Sequence, residues 1–335
     1  MEIQNSENSK PTTSSGESNF RPPFKTSTNL PKIPGVIVIS PFARRLQRSI
    51  ALAVIVIPFL GFVVAMILAW KYGIDRVEAG ILVSMYTAIM IGVTVGFHRY
   101  FAHRAFQAGR VLRIILAILG SMAAQGPILF WVASHRRHHA YSDQPGDPHS
   151  PHLQGKGIWN LVRGLWHAHI GWMFSDKIAN SLYYAPDLLR DPTLFRINQL
   201  YFVWVSLGLV IPAVLGGILT GTWTGISQGF LWGGLVRIFL VNQACWAVGS
   251  IGHTFGSRPF NTHDYSANNF WVALIAFGEG LQNNHHAFPS SAKHGLRWWE
   301  PDLSAWIIRI FEMVGLAWDV KIPTSRMIAE AKTGY

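Results

Sequence analysis

An uncharged run of 22 residues, 49–70, is the feature that most constrains how this chain can fold. As a helix it would be about 33 Å long at 1.5 Å per residue, enough to cross a bilayer core of about 30 Å. Three more apolar stretches follow, and charged residues make up only 13% of the chain, against about 25% in soluble domains. The sequence therefore predicts an all-α integral membrane protein with four transmembrane helices, at about residues 49–70, 79–97, 198–220 and 225–251.

Short turns join these helices in pairs. The polar turn 71–76 links the first two, and the loop 221–225 links the last two, so we expect two membrane hairpins. Arg44, Arg45 and Arg48 precede the first helix, and an excess of Lys and Arg marks the cytoplasmic side of a membrane protein. The sequence therefore predicts that both termini, and the polar segments after each hairpin, are cytoplasmic.

Charge and cysteine content exclude several classes of protein. The formal charge of +11 suits a cytoplasmic membrane face better than nucleic acid, because no compact basic domain stands apart from the apolar segments. Arg237 lies near the middle of the fourth helix, where we expect it to face the bundle interior and a polar partner. Cys245 is the only cysteine, which excludes an internal disulfide, a Cys-ligated zinc or iron–sulfur site and a covalently attached haem.

The segments outside the four helices are assigned by composition. Residues 1–40, rich in Ser, Thr, Asn, Pro and Lys, are predicted to form a disordered tail before a membrane domain at 41–322. Residues 114–134 are uncharged, but Gly126 and Pro127 near their middle favour an interfacial or re-entrant helix over a crossing. The remaining predictions are a cytoplasmic helical cap at 135–197 and 252–322, and a C-terminal tail at 323–335.

Histidines are concentrated at the ends of the predicted helices. On a helix, His135, His138 and His139 project from one face, since they are three and four residues apart. The spacing of His98 and His103 needs a bend or a helix end for both rings to converge. The other candidate ligands are His253, His285 and His286. Imidazoles in this number on one membrane face can coordinate one or two transition metals, and they exceed what a single tetrahedral zinc ion requires.

The histidine motifs resemble those of the membrane fatty acyl desaturases. The three boxes are His98-x4-His103, His135-x2-His138-His139 and Gln282-x2-His285-His286. The resemblance is closest to the acyl-CoA Δ9 (stearoyl-CoA-type) branch and its bacterial relatives, and it covers about residues 45–322. Supporting motifs are Tyr141-Ser142-Asp143, Asp147-Pro148-His149, His169-Ile170-Gly171-Trp172, Gly278-Glu279-Gly280, Phe288-Pro289 and Gly315-Leu316-Ala317-Trp318-Asp319.

The resemblance implies a di-iron centre with two sets of ligands. One iron would be bound by His98, His103, His135, His139 and His285, and the other by His138, His253 and His286. This chain has Gln282 where the family often has His, and Gly249 where the family often has an Asn that acts through water. Gln282 is then either an ordinary hydrogen-bonding residue or a direct ligand. Glu279 is either a ligand or, as we favour, a hydrogen-bond partner of an imidazole.

The resemblance also implies an activity. The protein would be an O2-dependent desaturase that removes two hydrogens from adjacent methylenes and introduces a cis double bond, expected at Δ9. The substrate would be a saturated acyl chain carried by CoA, with acyl-carrier protein and phospholipid as other possible carriers. The sequence has no flavin, nicotinamide or haem motif, so an external electron donor such as ferredoxin, rubredoxin or a cytochrome b5-type protein is expected.

Two alternative functions follow from the same residues. A membrane di-iron hydroxylase or ketolase would use similar irons to add oxygen to a lipid. A zinc-dependent membrane hydrolase or a metal transporter belongs to a different class. A transporter should place ionisable ligands near the middle of the bilayer, whereas these histidines lie beyond the helix ends.

Overall fold

The structure is a computed structural model and describes residues 33–333 of the chain. Four of its helices are long and apolar enough to cross a membrane, which confirms the number and the approximate positions of the predicted transmembrane helices. The first begins at Pro41 rather than at residue 49, because the Ser40 side chain accepts a hydrogen bond from Ala43 N and caps it. The four spans are Pro41–Tyr72, Arg76–Ala102, Tyr201–Thr220 and Trp223–Ser250.

The described part of the chain is mostly helical. In chain order the α-helices are α1 (Pro41–Tyr72), α2 (Arg76–Ile91), α3 (Arg110–Ser121), α4 (Ile128–Tyr141), α5 (Ile158–His169), α6 (Ser181–Tyr184), α7 (Pro186–Leu189), α8 (Pro192–Gln199), α9 (Tyr201–Thr220), α10 (Trp223–Gly229), α11 (Arg237–Ser250), α12 (Phe270–Ile275), α13 (Gln282–Ala287), α14 (Leu303–Met313) and α15 (Ser325–Thr333). Two π-helical segments, Gly92–Ala102 and Phe230–Val236, lie inside the second and fourth spans, and a 3-10 turn covers Gly171–Phe174.

Four short strands depart from the all-α prediction. They are β1 (Val36–Val38), β2 (Gln107–Ala108), β3 (Lys177–Ala179) and β4 (Ala317–Trp318). β1 pairs antiparallel with β3, and β2 pairs antiparallel with β4. Each pair joins segments that are far apart in sequence, so no local hairpin pattern predicts the pairing.

Both predicted tails contain regular structure within the described residues. The tail assigned to residues 1–40 contains β1, whose β-branched residues find a partner strand in β3. The tail assigned to 323–335 contains α15. The prediction of disorder is therefore wrong at residues 36–38, whereas the position of the C-terminal tail stays a prediction; residues 1–32 and 334–335 lie outside the described part of the chain.

The prediction of a single helix over residues 114–134 is wrong. The chain forms α3, breaks at residues 122–127, and then forms α4. Ala124 and Gly126 have φ values of 60° and 102°, which an α-helix cannot accommodate. Pro127 follows, and a proline disfavours helical geometry in the residue before it. The interfacial position of this region remains a prediction.

The second span changes helical type as it approaches the histidines. Residues Gly92–Ala102 form a π-helix, and the His103 N–H donates to the His98 carbonyl at 3.1 Å. This i to i+5 hydrogen bond brings two rings five residues apart towards the same side, which an α-helix would not do. Close packing against α3 supports the segment, since a Cβ on Gly92 would lie only 2.3 Å from Gly120 N.

Arg237 is buried inside the helix bundle, as predicted. Its side chain is 0% exposed and has three backbone carbonyl groups as partners. The guanidinium donates to Gly208 O at 2.6 Å, Met122 O at 2.9 Å and Gly233 O at 3.1 Å. Within residues 33–333 the polar partner that the sequence called for is therefore backbone rather than a carboxylate.

Candidate metal centre

Five imidazoles from three parts of the fold meet in one group. The second span and the residue after it supply His98 and His103, α4 supplies His135 and His139, and α13 supplies His285. His103 Nε2 lies 2.7 Å from His135 Nε2. His285 Nε2 lies 2.9 Å from His139 Nε2 and 3.1 Å from His98 Nε2. Such separations are roughly those of neighbouring nitrogen ligands about 2.1 Å from one metal ion.

A second group of three imidazoles lies beside the first. It contains His138 from α4, His253 from just after α11, and His286 from α13, with donor atoms within 4.8 Å of one another. The ring centroid of His253 is 4.9 Å from that of His138 and 4.8 Å from that of His286. The structure thus brings all eight predicted site histidines together, in the two sets that the resemblance implied.

Carboxylates contact the outer nitrogens of the second group. Asp147 lies 3.0 Å from His138 Nδ1, and Asp143 Oδ2 lies 2.9 Å from His253 Nδ1. Burial raises the pKa of Asp143, but the contacts with His253 and the hydrogen bond from Ser150 outweigh burial. The pKa of Asp143 is therefore lowered to about 2. An ionised carboxylate at Nδ1 fixes the proton there and leaves the Nε2 lone pair free for a metal.

The same arrangement recurs at two other histidines. Asp264 contacts His286 Nδ1, and that contact holds the pKa of Asp264 far below its usual value despite burial. Glu279 Oε2 lies 2.5 Å from His98 Nδ1, on the side of the ring away from the five-histidine group. Glu279 is therefore a close charged neighbour of His98 and His294, and its role as a hydrogen-bond partner of an imidazole stays a prediction.

The environment keeps most of these imidazoles neutral. Burial, with the proximity of the other rings, moves the pKa of four members of the five-histidine group well below 6.5: His103, His135, His139 and His285. Burial lowers the pKa of His286 to about 4, although Asp264 acts in the opposite direction. His253 is the exception: burial lowers its pKa, but the carboxylates of Asp143, Asp147 and Asp264 together raise it above the usual value. Neutral imidazoles are the form that binds metals.

The two departures from the family pattern lie beside the second group. Gln282 Oε1 is 3.3 Å from His253 Nε2, and the amide nitrogen donates to Glu279 O at 2.7 Å. Gly249 contributes no side chain, and a Cβ there would lie 3.4 Å from His149 Nδ1. The imidazole of His149 therefore occupies the space next to the position of the missing Asn.

Three supporting residues were not identified from the sequence. Arg99 is fully buried and donates to Glu279 Oε1 at 3.1 Å, while pairing with Asp302 at 2.8 Å. His294 is buried next to His98 and Glu279, and Asp264 is the partner of His286. The only local signal was a charged residue directly after His98 at the end of an apolar helix. Its partner Glu279 is 180 residues away, beyond the range of any spacing rule.

An apolar cavity opens onto both histidine groups. Its volume is about 550 Å³, within the range of roughly 300–1,000 Å³ typical of small-molecule sites. Successive turns of α1 line one wall of the cavity with Leu46, Ile50 and Val54. The other walls include Trp131 and Met173. The polar lining includes His98, His135, His138, His149, His253, Glu279 and Gln282. The arrangement can hold an extended apolar molecule against the imidazoles.

Comparison with known proteins agrees with this geometry. A sequence profile of the family described as fatty acid desaturase matches residues 77–320. The chain is 52% identical over 293 residues to a hex-5-enoyl-[acyl-carrier protein] acetylenase of Moorena producens, covering 87% of this chain and 91% of that protein. It is 40% identical over 242 residues to an sn-1 stearoyl-lipid 9-desaturase of Synechocystis sp., covering 71% of this chain and 70% of that protein.

A third relative supports the same assignment. An sn-1 stearoyl-lipid 9-desaturase of Anabaena variabilis is 38% identical over 235 residues, covering 69% of this chain and 79% of that protein. The matched region contains all three histidine boxes and His253. These similarities favour the desaturase prediction over the zinc hydrolase and metal transporter alternatives. The chain therefore belongs to the fatty acid desaturase family and is an oxidoreductase that acts on acyl lipids.

Proposed function

We propose that the protein is an O2-dependent, di-iron desaturase that introduces a cis double bond into a saturated acyl chain. The observation that carries the proposal is the shared boundary of the apolar cavity and the two histidine groups. His98 and His135 of the first group, and His138 and His253 of the second, all line the cavity. An acyl chain in this space would have its methylenes next to both candidate metal positions.

The donor set fits a pair of irons. Eight imidazoles are too many for one tetrahedral zinc, and an all-nitrogen set without thiolate suits iron. The first iron would be held by His98, His103, His135, His139 and His285, and the second by His138, His253 and His286. When bound there, the irons supply the O2-dependent oxidising power needed to remove hydrogen from an unactivated methylene.

The protein's own residues provide positioning and exclusion of water. Asp143 and Asp147 accept hydrogen bonds at Nδ1 of His253 and His138, which keeps each Nε2 directed inwards. The apolar walls of the cavity would hold the acyl chain in register with the centre, since chemistry at one methylene pair requires alignment to within about 1 Å. The same walls would shield the reacting carbons from water and side reactions.

The acyl carrier is a phosphopantetheine thioester in this proposal, either acyl-CoA or acyl-carrier protein. Acyl-CoA is the carrier that the desaturase resemblance implies. The Moorena producens relative, which is named as acting on an acyl-carrier-protein thioester, supports the shared thioester chemistry. The stearoyl-lipid 9-desaturases, at 40% and 38% identity, support the Δ9 position.

A second candidate function is the conversion of an existing double bond into a triple bond. It is favoured by one observation, the 52% identity to the Moorena producens acetylenase over 87% of this chain. The reaction removes two more hydrogens from neighbouring carbons, so the same cavity and the same ligands would serve it.

The site lies on the cytoplasmic side in this proposal, with electrons supplied by a ferredoxin, rubredoxin or cytochrome b5-type donor. The three arginines before α1 support this orientation. The described residues contain none of the motifs that bind a flavin or nicotinamide, which agrees with an external donor.

Expression in a host that lacks unsaturated fatty acids tests the proposal. The wild type should restore growth and produce a cis-Δ9 double bond, whereas His138→Ala should not. Rescue by His138→Ala, or a product that contains added oxygen, would contradict the assignment; the second result would support the hydroxylase alternative.

Assays on the purified protein identify the carrier. Stearoyl-CoA, stearoyl-acyl-carrier protein and a stearoyl phospholipid would be incubated separately with O2 and a reduced donor. We expect turnover of a thioester, and turnover of the phospholipid alone would contradict the thioester proposal. A mono-unsaturated thioester tests for triple-bond formation, and metal analysis should find two irons per chain rather than one zinc.

A further inference from the structure

The two candidate metal positions have unequal numbers of imidazoles. The first is surrounded by five, and the second by His138, His253 and His286 only. Gly249 lines the cavity beside the second position and offers no donor. One more side chain with an unshared oxygen lies there, that of Gln282, which is 3% exposed. The question is what its oxygen does.

The orientation of the Gln282 amide is determined by its neighbour. The Glu279 carbonyl can only accept a hydrogen bond, and it lies 2.7 Å from Gln282 Nε2. The amide nitrogen must therefore face Glu279. The amide oxygen is consequently turned towards the imidazoles of the second group, with Oε1 3.3 Å from His253 Nε2.

The atom opposite this oxygen is also directed by a neighbour. His253 Nδ1 lies 2.9 Å from Asp143 Oδ2, so the ring is held with Nδ1 towards the carboxylate and Nε2 towards the second group. Gln282 Oε1 and His253 Nε2 therefore lie next to each other in a buried site, 3.3 Å apart, and both are directed towards the second group. This separation is close to that of neighbouring donor atoms about 2.1 Å from one metal ion, and the orientation of the amide places its oxygen on the side of the three imidazoles.

We propose that Gln282 Oε1 is the fourth donor of the second metal position, beside His138, His253 and His286. This inference rests on the proposed di-iron function. It assigns a ligand role to an amide, where the desaturase resemblance would provide an imidazole. The competing role is a hydrogen bond only, in which a doubly protonated His253 donates from Nε2 to the amide oxygen.

Four variants of the full-length protein separate these roles. Gln282→Leu removes the donor at similar volume, and Gln282→Asn withdraws the oxygen by one methylene. Gln282→His and Gln282→Glu replace it with a nitrogen or an anionic oxygen. The purified proteins would be loaded anaerobically with iron(II), and with cobalt(II) as a spectroscopic probe, and the metal per chain measured before and during titration with a chelator.

The wild type, Gln282→His and Gln282→Glu should each hold two metals. Gln282→Leu and Gln282→Asn should hold about one, or release the second at a chelator concentration at least about tenfold lower. The visible absorption of the cobalt form should shift between wild type and Gln282→His, because an oxygen donor is exchanged for nitrogen. Gln282→Leu should also change the cobalt spectrum relative to wild type, because it removes a donor, whereas loss of a hydrogen bond alone would leave the spectrum unchanged.

Two results would overturn the inference. One is a Gln282→Leu protein that holds two metals with the chelator profile and cobalt spectrum of wild type. The other is loss of the second metal in His149→Phe but not in Gln282→Leu, since His149 also lines the cavity there. A wild type that binds one zinc and no iron would instead refute the proposed di-iron function. Thermal unfolding of the metal-free variants identifies any that are misfolded, and the His and Glu variants keep the test decisive in that case.

Discussion

Pairing of an imidazole with a carboxylate is the recurring device at the scale of single residues. Asp143, Asp147 and Asp264 each contact Nδ1 of one histidine in the second group, and Glu279 contacts His98 in the first. Each pair fixes the tautomer and the direction of a ring that would otherwise rotate about its side-chain bonds. The carboxylate also makes the inward nitrogen a stronger donor.

Asp264→Asn tests this device. Asp264 is held by Ser266 and Thr262 and contacts His286, so the amide would keep the shape of the side chain but lose its charge. We expect the affinity of the second position for iron(II) to fall about 10- to 100-fold, measured by chelator titration. Asp176→Asn, at a half-buried ion pair with Arg44 away from the histidines, should change nothing. Equal chelator midpoints for the two variants would contradict the expected role.

The depressed pKa values of the buried histidines predict how the metal-free protein responds to acid. Burial lowers the pKa of His149 to about 3 and that of His286 to about 4, against about 6.5 in the unfolded chain. Between pH 6.5 and 4 the unfolded state therefore binds protons that the native state does not. The linkage relation then makes the free energy of unfolding decrease as the pH falls through this window.

The magnitude follows from the same relation. At pH 5 each such histidine reduces the free energy of unfolding by about 2 kcal/mol relative to pH 7. His253 opposes the effect, since its pKa is raised. Thermal unfolding of the metal-free protein in detergent should show a lower Tm at pH 5 than at pH 7. A Tm that rises on acidification would show that the raised pKa of His253 dominates.

At the scale of helices, departures from regular α-helix place both the histidines and a buried charge. The π-helical segment Gly92–Ala102 turns His98 and His103 towards α4. In α9, Pro212 has no N–H to donate to Gly208 O four residues earlier, and Arg237 of α11 donates to that carbonyl instead. Irregular backbone inside a membrane is tolerated when a neighbouring helix supplies the missing partner in this way.

Arg237→Leu should therefore destabilise the protein by leaving buried carbonyls without donors. Each unpaired group costs about 1–3 kcal/mol, so the Tm in detergent should fall clearly. Pro212→Ala restores an N–H for the Gly208 carbonyl. The double variant Arg237→Leu/Pro212→Ala should recover part of the loss. No recovery would mean that Met122 O and Gly233 O, rather than Gly208 O, account for the cost.

For the whole molecule, the decisive question is how the chain returns to one side of the bilayer. His103 and His135 are in contact, so the intervening helices α3 and α4 carry the chain back to where it left the second span. If all four candidate spans cross the bilayer, as we propose, the histidines lie on one side and the short turns after α1 and α9 lie on the other. The arginines at the start of α1 favour the cytoplasm for the histidines.

Single-cysteine labelling in a Cys245→Ser background tests that topology. Ile74→Cys and Trp223→Cys place a thiol at the two turns, and Lys156→Cys places one on an exposed loop near the histidine face. An impermeant maleimide should label the first two on intact cells and the third only after permeabilisation. Labelling of positions 74 and 156 from the same side would refute the proposed arrangement.

Much of the architecture could be predicted from the sequence, because its signals are local. Three of the four spans follow from uncharged runs of sufficient length, and the fourth follows from an apolar run interrupted only by Arg237. The shared face of His135, His138 and His139 follows from helical periodicity. Local signals failed at the start of the described chain, where β1 replaces predicted disorder. They also failed at residues 122–127, where the helix breaks at the positive φ angles of Ala124 and Gly126.

What the sequence by itself determined was the number of crossings, the helical face of the central histidines and the set of eight imidazoles. Only the tertiary structure decided which carboxylate orients each ring, which carbonyls surround Arg237 and which way the Gln282 amide points. The physical reason is range. Hydrophobic length and helical periodicity act over a few residues, whereas partners such as His253 and Asp143 are 110 residues apart and meet only when the bundle is packed.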